Sequence, residues 1–490
     1  MAGRSQERRR RLTLAACIIG SSLAFIDVTV VIVALPTIEA DLGLGLSGQQ
    51  WVFLSYSLAL ASLYLVAGSF GDRFGRRGAF AVGAAGFALA SALAGAAPNG
   101  ETLIAARALQ GVAGAFLTTN SLALIRSVYG DDAGRAIGLW TAFTSIATII
   151  GPPAGGAIVE WTSWRWIFFV NLPLAALAVA LVQAGRCEER RAVRVGRLDL
   201  PGAALAAIGF GSLTYALVEG AERGFGRYWW VFALAALSLA AFAVVERRAA
   251  EPMLPFALFR RGNLAAANVE TFLVYGAIYG FFVYLGLHVQ SVGFSPFETG
   301  LVLASPSLVL VALATRFGAL ADRYGPRFFL AAGPALIAVG CLLTLPIASR
   351  ADFWVAGTAS LVAYSLGLAM LVAPITAAAL KSAPAELAGV ASGVNATVSR
   401  LGSLTAVAVI GLVVSLVFSA RTEADAAPLT TGLEGEALAA SVAGFRAGML
   451  LSAALALAGA AVGALAISNR EARTGGVRPE AEPEPATAGS

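Results

Sequence analysis

The chain has 490 residues, of which 58% are hydrophobic and only 13% are charged, and its net charge is +5. Because soluble proteins carry about a quarter charged residues, this composition excludes an ordinary soluble protein and indicates that lipid is the solvent. The basic residues are almost all arginines in short loops between apolar runs, a pattern that sets membrane orientation and does not fit a nucleic-acid-binding surface.

Apolar runs long enough to cross a bilayer, which takes about 20 residues, recur along the chain. They cover residues 12–35, 49–70, 79–97, 102–125, 135–158, 165–184, 200–219, 229–246, 263–288, 297–317, 328–348, 353–379, 391–418 and 446–467. The first run is too long for a signal peptide and ends without a small-residue cleavage site, so we expect it to be retained. We therefore predict an all-α membrane protein with fourteen transmembrane helices.

The arginines also predict how these spans are oriented, because cytoplasmic loops carry an excess of Lys and Arg. Most arginines, beginning with Arg8–Arg11, fall in loops on the side of the N-terminus. The opposite side holds only Arg165, Arg223, Arg227, Arg350, Arg421 and Arg446. An even number of spans puts both termini on one side, so we predict a multi-pass protein of the cell membrane with both termini in the cytoplasm. The tail after about Asn469 is rich in Pro, Glu, Ala and Gly, and we expect it to be disordered.

One loop occurs twice. After the second apolar run come Gly68, Asp72, Arg73, an aromatic residue and Gly75, and after the tenth come Gly318, Asp322, Arg323, an aromatic residue and Gly325. Such a repeat indicates two related six-helix bundles. Because the two copies are eight spans apart, two further helices must be inserted between the bundles.

The chain then divides into seven parts. We predict a cytoplasmic N-terminus (1–11), an N-terminal six-helix bundle (12–184), a cytoplasmic linker (185–199), two inserted helices (200–246), a second linker (247–262), a C-terminal six-helix bundle (263–467) and a disordered cytoplasmic tail (468–490).

The repeated loop has the features of a conformational latch. Its first glycine would let a helix end approach its neighbour, and its last glycine would permit a tight turn. Its aspartate could be held by the N-terminus of another helix, and its arginines could pair with acids or lipid phosphates. A solvated basic turn that only sets topology is the alternative, which two copies at one spacing make weaker. We predict a cytoplasmic gate made of Gly68, Asp72, Arg73, Gly75, Arg77, Gly318, Asp322, Arg323 and Gly325.

Several stretches resemble signatures of the major facilitator superfamily. Gly68–Arg77 looks like its loop signature between spans 2 and 3, and Arg107–Gly111 is similar to its Arg-x-x-Gln-Gly signature in span 4. Asp27–Pro36 resembles its span 1 signature, although Ile32 stands where Asn is usual. Gly151–Gly156 looks like the Gly-Pro-x-x-Gly-Gly signature of antiporters in that superfamily.

Fourteen spans with an inserted central pair look like the drug:proton antiporter family of this superfamily. The resemblance implies a major facilitator fold and export of amphipathic or cationic small molecules against inward proton flow. An exporter of an endogenous product, such as a lipid or a self-made antibiotic, is a second possibility that the sequence does not separate from the first. We expect a monomer that needs no cofactor and no metal ion.

Charged residues inside the spans need a reason, because each costs roughly 2.5–3.5 kcal/mol at mid-bilayer. Asp27 lies in the middle of the first span, and Arg107 shares a polar helical stripe with Gln110. Glu270 lies in the ninth span and Arg400 on a polar face of the thirteenth. We predict that Asp27, Arg107, Glu270 and Arg400 couple proton movement to transport. Structural packing roles are the alternative, and for Glu270 a position facing the cytoplasmic vestibule.

The fifth span combines glycines with adjacent prolines. Pro152 and Pro153 should kink this helix, and the glycines should allow close contact with its neighbours. We predict a hinge and seal between the two halves, with ordinary helix packing as the alternative. Its residues are Gly151, Pro152, Gly155 and Gly156.

Histidine and the aromatic residues of the spans give weaker signals. We expect His288, the single histidine, to lie at an outer helix end near the membrane interface. Aromatic side chains that could line an apolar pocket are Trp51, Phe53, Tyr56, Tyr275, Tyr279 and Phe282.

Motifs of other protein classes are missing or misplaced. An ATP-driven pump needs Gly-x-x-x-x-Gly-Lys-Ser/Thr, and the only lysine, Lys381, has no such context. Gly43–Gly48 spells a dinucleotide-binding motif but lies in a loop with no preceding strand. A non-transporting sensor of the same fold would not need Asp27 and Arg107. We therefore predict a transporter and not an enzyme.

Overall fold

The computed structural model describes residues 2–186, 200–249, 262–381, 388–423 and 426–469. Within these ranges the chain forms helices and no β-strand. The α-helices are α1 (Ala2–Leu42), α2 (Gly45–Phe74), α3 (Arg76–Gly95), α4 (Gly100–Tyr129), α5 (Ala133–Trp161), α6 (Trp166–Phe169), α7 (Asn171–Ala184), α8 (Leu200–Arg223), α9 (Trp229–Arg248), α10 (Gly262–Ser291), α11 (Pro296–Tyr324), α12 (Arg327–Leu343), α13 (Arg350–Asp352), α14 (Thr358–Lys381), α15 (Ala388–Ser419) and α16 (Gly435–Ala466).

Many of these helices can cross a membrane. In the described ranges eleven are long and apolar enough, and α2, which bends by 55° between Tyr64 and Val66, makes a twelfth. Two shorter apolar stretches, Ala204–Gly220 and Arg327–Leu343, lie in α8 and α12. Helices suit this solvent because every backbone polar group is satisfied within the helix. The chain is a multi-pass membrane protein.

Helix ends follow local sequence signals. The Asn99 side chain accepts a hydrogen bond from Thr102 N at 2.9 Å and so caps α4. Ser295 and Glu298 form a reciprocal capping box at the start of α11. The helices that precede the two repeated loops, α2 and α11, end at glycines with positive φ.

The helices pack in two groups. In the first, α4 packs against α2 and α3, and α1 packs against α5 and α7. In the second, α12 packs against α14 and α16, and α10 packs against α15 and α16. Helix α8 lies against α2 of the first group and α15 of the second, whereas α9 packs mainly on α8.

The bundle has two ends, which differ in charge. The arginine-rich end carries the turns at Gly75 and Gly325 and the start of α1. The arginine-poor end carries the turns that follow α1, α5 and α10. The candidate site described next lies between these ends, within the first group of helices.

Candidate functional site

A buried ion pair joins α1 to α4. Arg107 Nη1 donates a hydrogen bond to Asp27 Oδ2, and the exposed fractions of the two side chains are 0% and 1%. The same nitrogen donates to Gln110 Oε1 at 2.9 Å, and Arg107 Nε donates to the carbonyl of Val52 at 3.1 Å. The guanidinium group therefore holds α1, α2 and α4 together.

Polar side chains from two further helices enclose the carboxylate. Gln110 Nε2 donates to Asp27 Oδ1 at 3.2 Å and to Ser91 Oγ on α3 at 2.7 Å. Asn171 Nδ2 on α7 lies 3.5 Å from Asp27 Oδ1 and 3.4 Å from Ser91 Oγ. A buried charge is tolerated when it is paired and hydrogen-bonded, and this network pairs both charges and leaves only Arg107 Nη2, among the guanidinium nitrogens, without a partner in the described residues. Two of the predicted coupling residues thus lie together. Their partner Gln110 belongs to the same Arg-x-x-Gln-Gly signature as Arg107, whereas Ser91 has no sequence signature.

An aromatic wall covers the guanidinium. Arg107 Cζ lies 4.5 Å from the ring centroid of Tyr56 and 5.8 Å from that of Phe168, both within the range of a cation–π interaction. The Tyr56 hydroxyl donates to the carbonyl of Ala24 at 3.2 Å. A Cβ at Gly111 would lie 2.2 Å from the Tyr56 carbonyl oxygen, so only glycine lets α2 come this close to α4. Tyr56 is therefore a buried support of the ion pair.

Glu270 lies apart from this network. Its side chain is fully buried on α10, and neither carboxylate oxygen has a hydrogen-bond partner among the described residues. It faces α16, since a Cβ at Gly459 would lie 3.9 Å from Glu270 Cγ. The alternative position in an open vestibule is therefore wrong. Ionisable residues buried in a membrane bundle are rare and mark functional positions.

Arg400 does not pair with Glu270. The Arg400 guanidinium is partly exposed, and its Cζ lies 5.6 Å from the ring centroid of Tyr64 on α2, in the other half. Nearby, Thr271 Oγ1 donates to Asn395 Oδ1 at 2.9 Å and links α10 to α15. The four predicted coupling residues therefore form one buried pair and two separate single charges.

The first repeated loop is held by an arginine rather than by a helix N-terminus. Arg76 donates to Asp72 Oδ1 through Nε and Nη2, each at 2.7 Å, and through Nη1 to the carbonyl of Ala123 on α4 at 3.2 Å. Gly75 has φ = 106°, a conformation that favours glycine. The turn and the end of α4 are thus tied by one side chain, Arg76, while Arg77 follows it in the first turn of α3.

The second copy uses different contacts. Pro326 occupies the position of Arg76, so the bond to the aspartate of this copy, Asp322 in the last turn of α11, cannot form in the same way. Arg327 instead donates from its backbone N–H to Asn469 Oδ1 at 3.1 Å and from Nε to the carbonyl of Ala464 at 2.6 Å. The second loop is therefore held by the end of α16 and by Asn469 just beyond it.

Other members of the predicted gate are more loosely placed. Arg73 and Arg323 each lie over the aromatic residue that follows them, with Cζ 5.7 Å and 5.3 Å from the ring centroids. A Cβ at Gly68 would find its nearest neighbour at 3.9 Å and one at Gly318 at 3.5 Å, which are ordinary contacts. The close approach predicted at these glycines is therefore wrong. The tight position is Gly71, where a Cβ would lie 1.6 Å from a side-chain oxygen of α4.

The glycines of α5 pack against α1. A Cβ at Gly151 would lie 2.6 Å from Thr29 Oγ1, and one at Gly155 would lie 2.5 Å from Val30 Cγ1. Helix α5 continues through Pro152 as one element. These contacts occur two and three residues beyond Asp27 on α1, so the motif lies beside the buried ion pair.

The same motif joins the two halves. A Cβ at Gly156 would lie 2.3 Å from the carbonyl oxygen of Pro296 on α11, and one at Gly300 would lie 2.3 Å from that of Pro152. At the end of α5, Glu160 Oε2 accepts hydrogen bonds from Ser295 Oγ at 2.7 Å and from a backbone N–H of α11 at 3.0 Å. The two helices thus meet backbone to backbone at the arginine-poor end.

A second contact between the halves lies at Gln50. Its Nε2 donates to Tyr284 Oη at 2.7 Å and to the carbonyl of Val407 at 3.3 Å. Tyr284 Oη donates to the same carbonyl at 2.6 Å. A Cβ at Gly411 would lie 1.5 Å from Gln50 Nε2, so α15 can accept this side chain only with glycine there. The contact joins α2 to α10 and α15.

His288 lies in the last turn of α10 and is enclosed by other helices. Its side chain is fully buried, and its ring stacks on that of Phe445 with centroids 3.7 Å apart. Nε2 lies 3.1 Å from the carbonyl oxygen of Ile347. The predicted position at a helix end is confirmed, and the interfacial depth stays a prediction, but the side chain is covered by α16.

Comparison with known proteins identifies the family to which this chain belongs. The sequence profile of the Major Facilitator Superfamily matches residues 17–407, which include the buried ion pair, the first repeated loop and the second. The chain belongs to the major facilitator superfamily. Its relatives within the superfamily include the multidrug resistance protein Stp of Mycobacterium tuberculosis, 35% identical over 426 residues that cover 85% of this chain and 78% of Stp.

Other relatives carry related names. The multidrug efflux pump LfrA of Mycolicibacterium smegmatis is 31% identical over 442 residues, which cover 89% of this chain and 87% of LfrA. The methylenomycin A resistance protein of Bacillus subtilis is 32% identical over 410 residues, which cover 81% of this chain and 86% of that protein. These superfamily members are named for resistance or efflux.

Solved structures show the same fold. The inward-facing, unoccupied structure of a bacterial homologue of the human lysosomal transporter Spinster matches with a TM-score of 0.67 and 16% identity, covering 96% of this chain and 99% of that one. A D-xylose–proton symporter matches with a TM-score of 0.62 and 14% identity, covering 93% of this chain and 98% of that one. The fold is that of a major facilitator transporter.

Proposed function

We propose that the protein is a proton-coupled exporter of amphipathic small molecules that works by alternating access. The observation that carries this proposal is the buried pair of Asp27 and Arg107 with its three polar partners. A carboxylate in a membrane bundle that can gain or lose its charge against one fixed cation is suited to carry a proton. The names of the relatives, which refer to multidrug or antibiotic resistance, support a drug-type substrate.

The geometry supports a route from proton binding to conformational change. When Asp27 binds a proton, Arg107 loses the negative charge that offsets its burial, and the contact between α1 and α4 weakens. The next turn of α1 packs on Gly151 and Gly155 of α5, and α5 in turn contacts α11. A change at Asp27 can therefore reach the junction between the halves through packed helices, which have few alternative arrangements.

Glu270 is proposed as a second titratable group and Arg400 as a cation at the boundary of the halves. Glu270 lies in the first helix of the second bundle, as Asp27 does in the first. Its burial without a partner supports a role other than packing. We propose that the repeated loops act as latches at one gate and that the glycines of α5 seal the opposite end.

We further propose fourteen spans, with both termini in the cytoplasm of a monomeric protein of the cell membrane. The two shorter apolar helices within α8 and α12 support this number, when added to the longer ones. The division into two six-helix bundles, an inserted pair and terminal segments follows from it. With this orientation the halves touch at the outer end, which corresponds to an inward-facing state. Membership of the superfamily and the names of the relatives support transport as the activity.

The proposal is tested by efflux from proteoliposomes that hold the purified protein under an imposed pH gradient. We expect Asp27→Asn to abolish the dependence of substrate efflux on the gradient. Asp41→Asn is the matched control, because Asp41 lies on the same helix and pairs with Arg165 at 3.3 Å, but its side chain is 50% exposed. Unchanged coupling in Asp27→Asn would remove this residue from the proton path.

Substrate class needs a separate experiment. Cells that express or lack the protein are compared across a panel of drugs, and their media are analysed for secreted products. Changed susceptibility to several unrelated amphipathic drugs would support drug export. Unchanged susceptibility, together with loss of a secreted lipid or antibiotic, would instead support export of an endogenous product.

A further inference from the structure

A cavity of about 820 Å³ opens at the arginine-rich end of the first half. It lies between the first turns of α1, the end of α4 and the start of α5. Its charged lining residues are Glu7, Arg10, Arg11, Asp132 and Arg135. The cavity is separate from the buried ion pair and from the repeated loops, and the transport mechanism does not use it.

Two of the three arginines are available to an anion. Arg11 Nε donates to Glu7 Oε1 at 2.9 Å, one turn away on α1, so that charge is offset. Arg10 Cζ lies 5.9 Å from the ring centroid of Tyr129, and neither Arg10 nor Arg135 forms an ion pair with any side chain that the structure describes. Guanidinium groups bind phosphate oxygens through paired N–H donors, which makes phosphate a fitting ligand.

The cavity lies where two helices change from charged to apolar sequence. On α1 the arginines end at Arg11, and the apolar run begins at the next residue. On α5 Arg135 is followed at once by apolar residues. The apolar wall of the cavity is formed by Leu14, Ala136 and Leu139. This is the depth at which lipid head groups meet the hydrocarbon core.

An exposed apolar face continues from the cavity along α5. Leu139, Phe143, Ile146 and Ile150 are 44%, 52%, 45% and 56% exposed. Their spacing of four, three and four residues places them on one side of the helix. The acyl chain of a lipid that starts in the cavity would lie along this face. A soluble phosphate has no hydrocarbon that could pack there.

We propose that this cavity binds the head group of an anionic phospholipid, with Arg10 and Arg135 on the phosphate and an acyl chain along the exposed face of α5. Basic pockets between membrane helices attract anionic head groups. The lipid would join the start of α1 to the start of α5. These are the two helices that meet again beside the buried ion pair.

Native mass spectrometry of the purified full-length protein in neutral detergent tests the proposal. Phosphatidylglycerol is compared with phosphatidylcholine of the same acyl chains, and inorganic phosphate and glycerol phosphate are added as soluble competitors. We expect one phosphatidylglycerol to bind more tightly than phosphatidylcholine. Each arginine near an anionic head group is worth about fivefold in affinity, so Arg10→Gln with Arg135→Gln should weaken binding by roughly 25-fold.

A charge-matched variant decides between a site and general surface attraction. Arg8→Gln with Arg126→Gln removes two exposed arginines of the same end that do not line the cavity, and we expect less than a twofold effect. An equal loss in both double variants would overturn the proposal. Displacement of the lipid by millimolar inorganic phosphate would also overturn it, because the ligand would then be a soluble anion. Leu139→Gln should weaken phosphatidylglycerol binding without affecting that of glycerol phosphate.

Discussion

Gly156 on α5 and Gly300 on α11 let two helices from opposite halves meet backbone to backbone. A Cβ on either would lie 2.3 Å from a carbonyl oxygen of the other helix, closer than real Cβ atoms approach. The contact lies at the arginine-poor end. It is reinforced there by Glu160 of α5, which accepts two hydrogen bonds from the start of α11. Closure of this end therefore depends on the absence of two side chains.

Substitution of Gly156 or Gly300 by alanine should open this end. The added methyl group meets backbone that cannot move aside, so the two helices must separate. We expect cysteines placed near Ser295 to react faster with a membrane-impermeant thiol reagent, and we expect transport to fall. Gly138→Ala is the control on the same helix, because a Cβ there has open space and should change neither quantity. Equal reactivity in all three variants would show that these glycines do not close the bundle.

Removal of one member of the buried ion pair should destabilise the protein more than removal of both charges. Arg107→Ala leaves Asp27 buried and unpaired, a change that typically costs about 3–5 kcal/mol. Asp27→Asn combined with Arg107→Gln leaves no charge and should recover much of the lost thermal stability in detergent. As a comparison, Arg165→Ala removes a pair with exposed fractions of 33% and 50% and should cost about 0–1 kcal/mol. A double variant less stable than Arg107→Ala would contradict this explanation.

The inserted helix α8 should be held to α2 by Glu219. Its Oε1 accepts a hydrogen bond from Trp51 Nε1 at 3.1 Å, and the side chain is 10% exposed. Hydrogen bonds to charged groups contribute about 1.5–3 kcal/mol, so Trp51→Phe and Glu219→Gln should each lower the melting temperature. A double-mutant cycle should show that the two effects are coupled. Trp229→Phe, at a position 68% exposed on α9, is the control. Strictly additive effects would mean that this bond does not dock α8.

Alanine at the turn glycines should be more damaging in the second loop than in the first. Gly75 and Gly325 have φ of 106° and 97°, so either substitution strains the backbone by roughly 1–3 kcal/mol. At Gly75 a Cβ would have open space, whereas at Gly325 it would lie 2.4 Å from the side chain of Asn469. Thermal unfolding of the two variants measures the difference. Gly78→Ala, which adds a methyl group to open space within α3, should be neutral. If Gly75→Ala is the less stable variant, the contact with Asn469 does not determine the difference in stability.

The sequence predicted the fold class and singled out both members of the ion pair, though not their pairing, for a physical reason. Charged residues inside apolar spans are costly in a membrane and therefore rare. Asp27 and Arg107 can thus be recognised from the sequence alone. Their partner Ser91 does not stand out, because a single polar residue on an apolar helix has no periodic pattern. The helix that contacts the α5 motif was also not predicted. Gly300 is one of 54 glycines, and only the packing shows which helix it faces.

The surroundings of Glu270 and His288 were not predicted, for another reason. Each residue can be located along its helix from the sequence, but that position does not specify the direction in which the side chain points. Both face α16, a helix more than 150 residues further along the chain. The count of fourteen spans stays a prediction, because α8 and α12 contain apolar stretches shorter than the rest.

Pro326 makes the two repeated loops chemically unequal. In the first loop, Arg76 forms an ion pair with an exposed carboxylate, which high salt weakens. In the second loop, Arg327 donates hydrogen bonds from its backbone N–H and its guanidinium to two uncharged oxygens, one at the end of α16 and one on Asn469 just beyond it. We therefore expect ionic strength to weaken the Arg76 contact more than the Arg327 contacts, so that the two copies of a duplicated loop respond differently to the same change in salt.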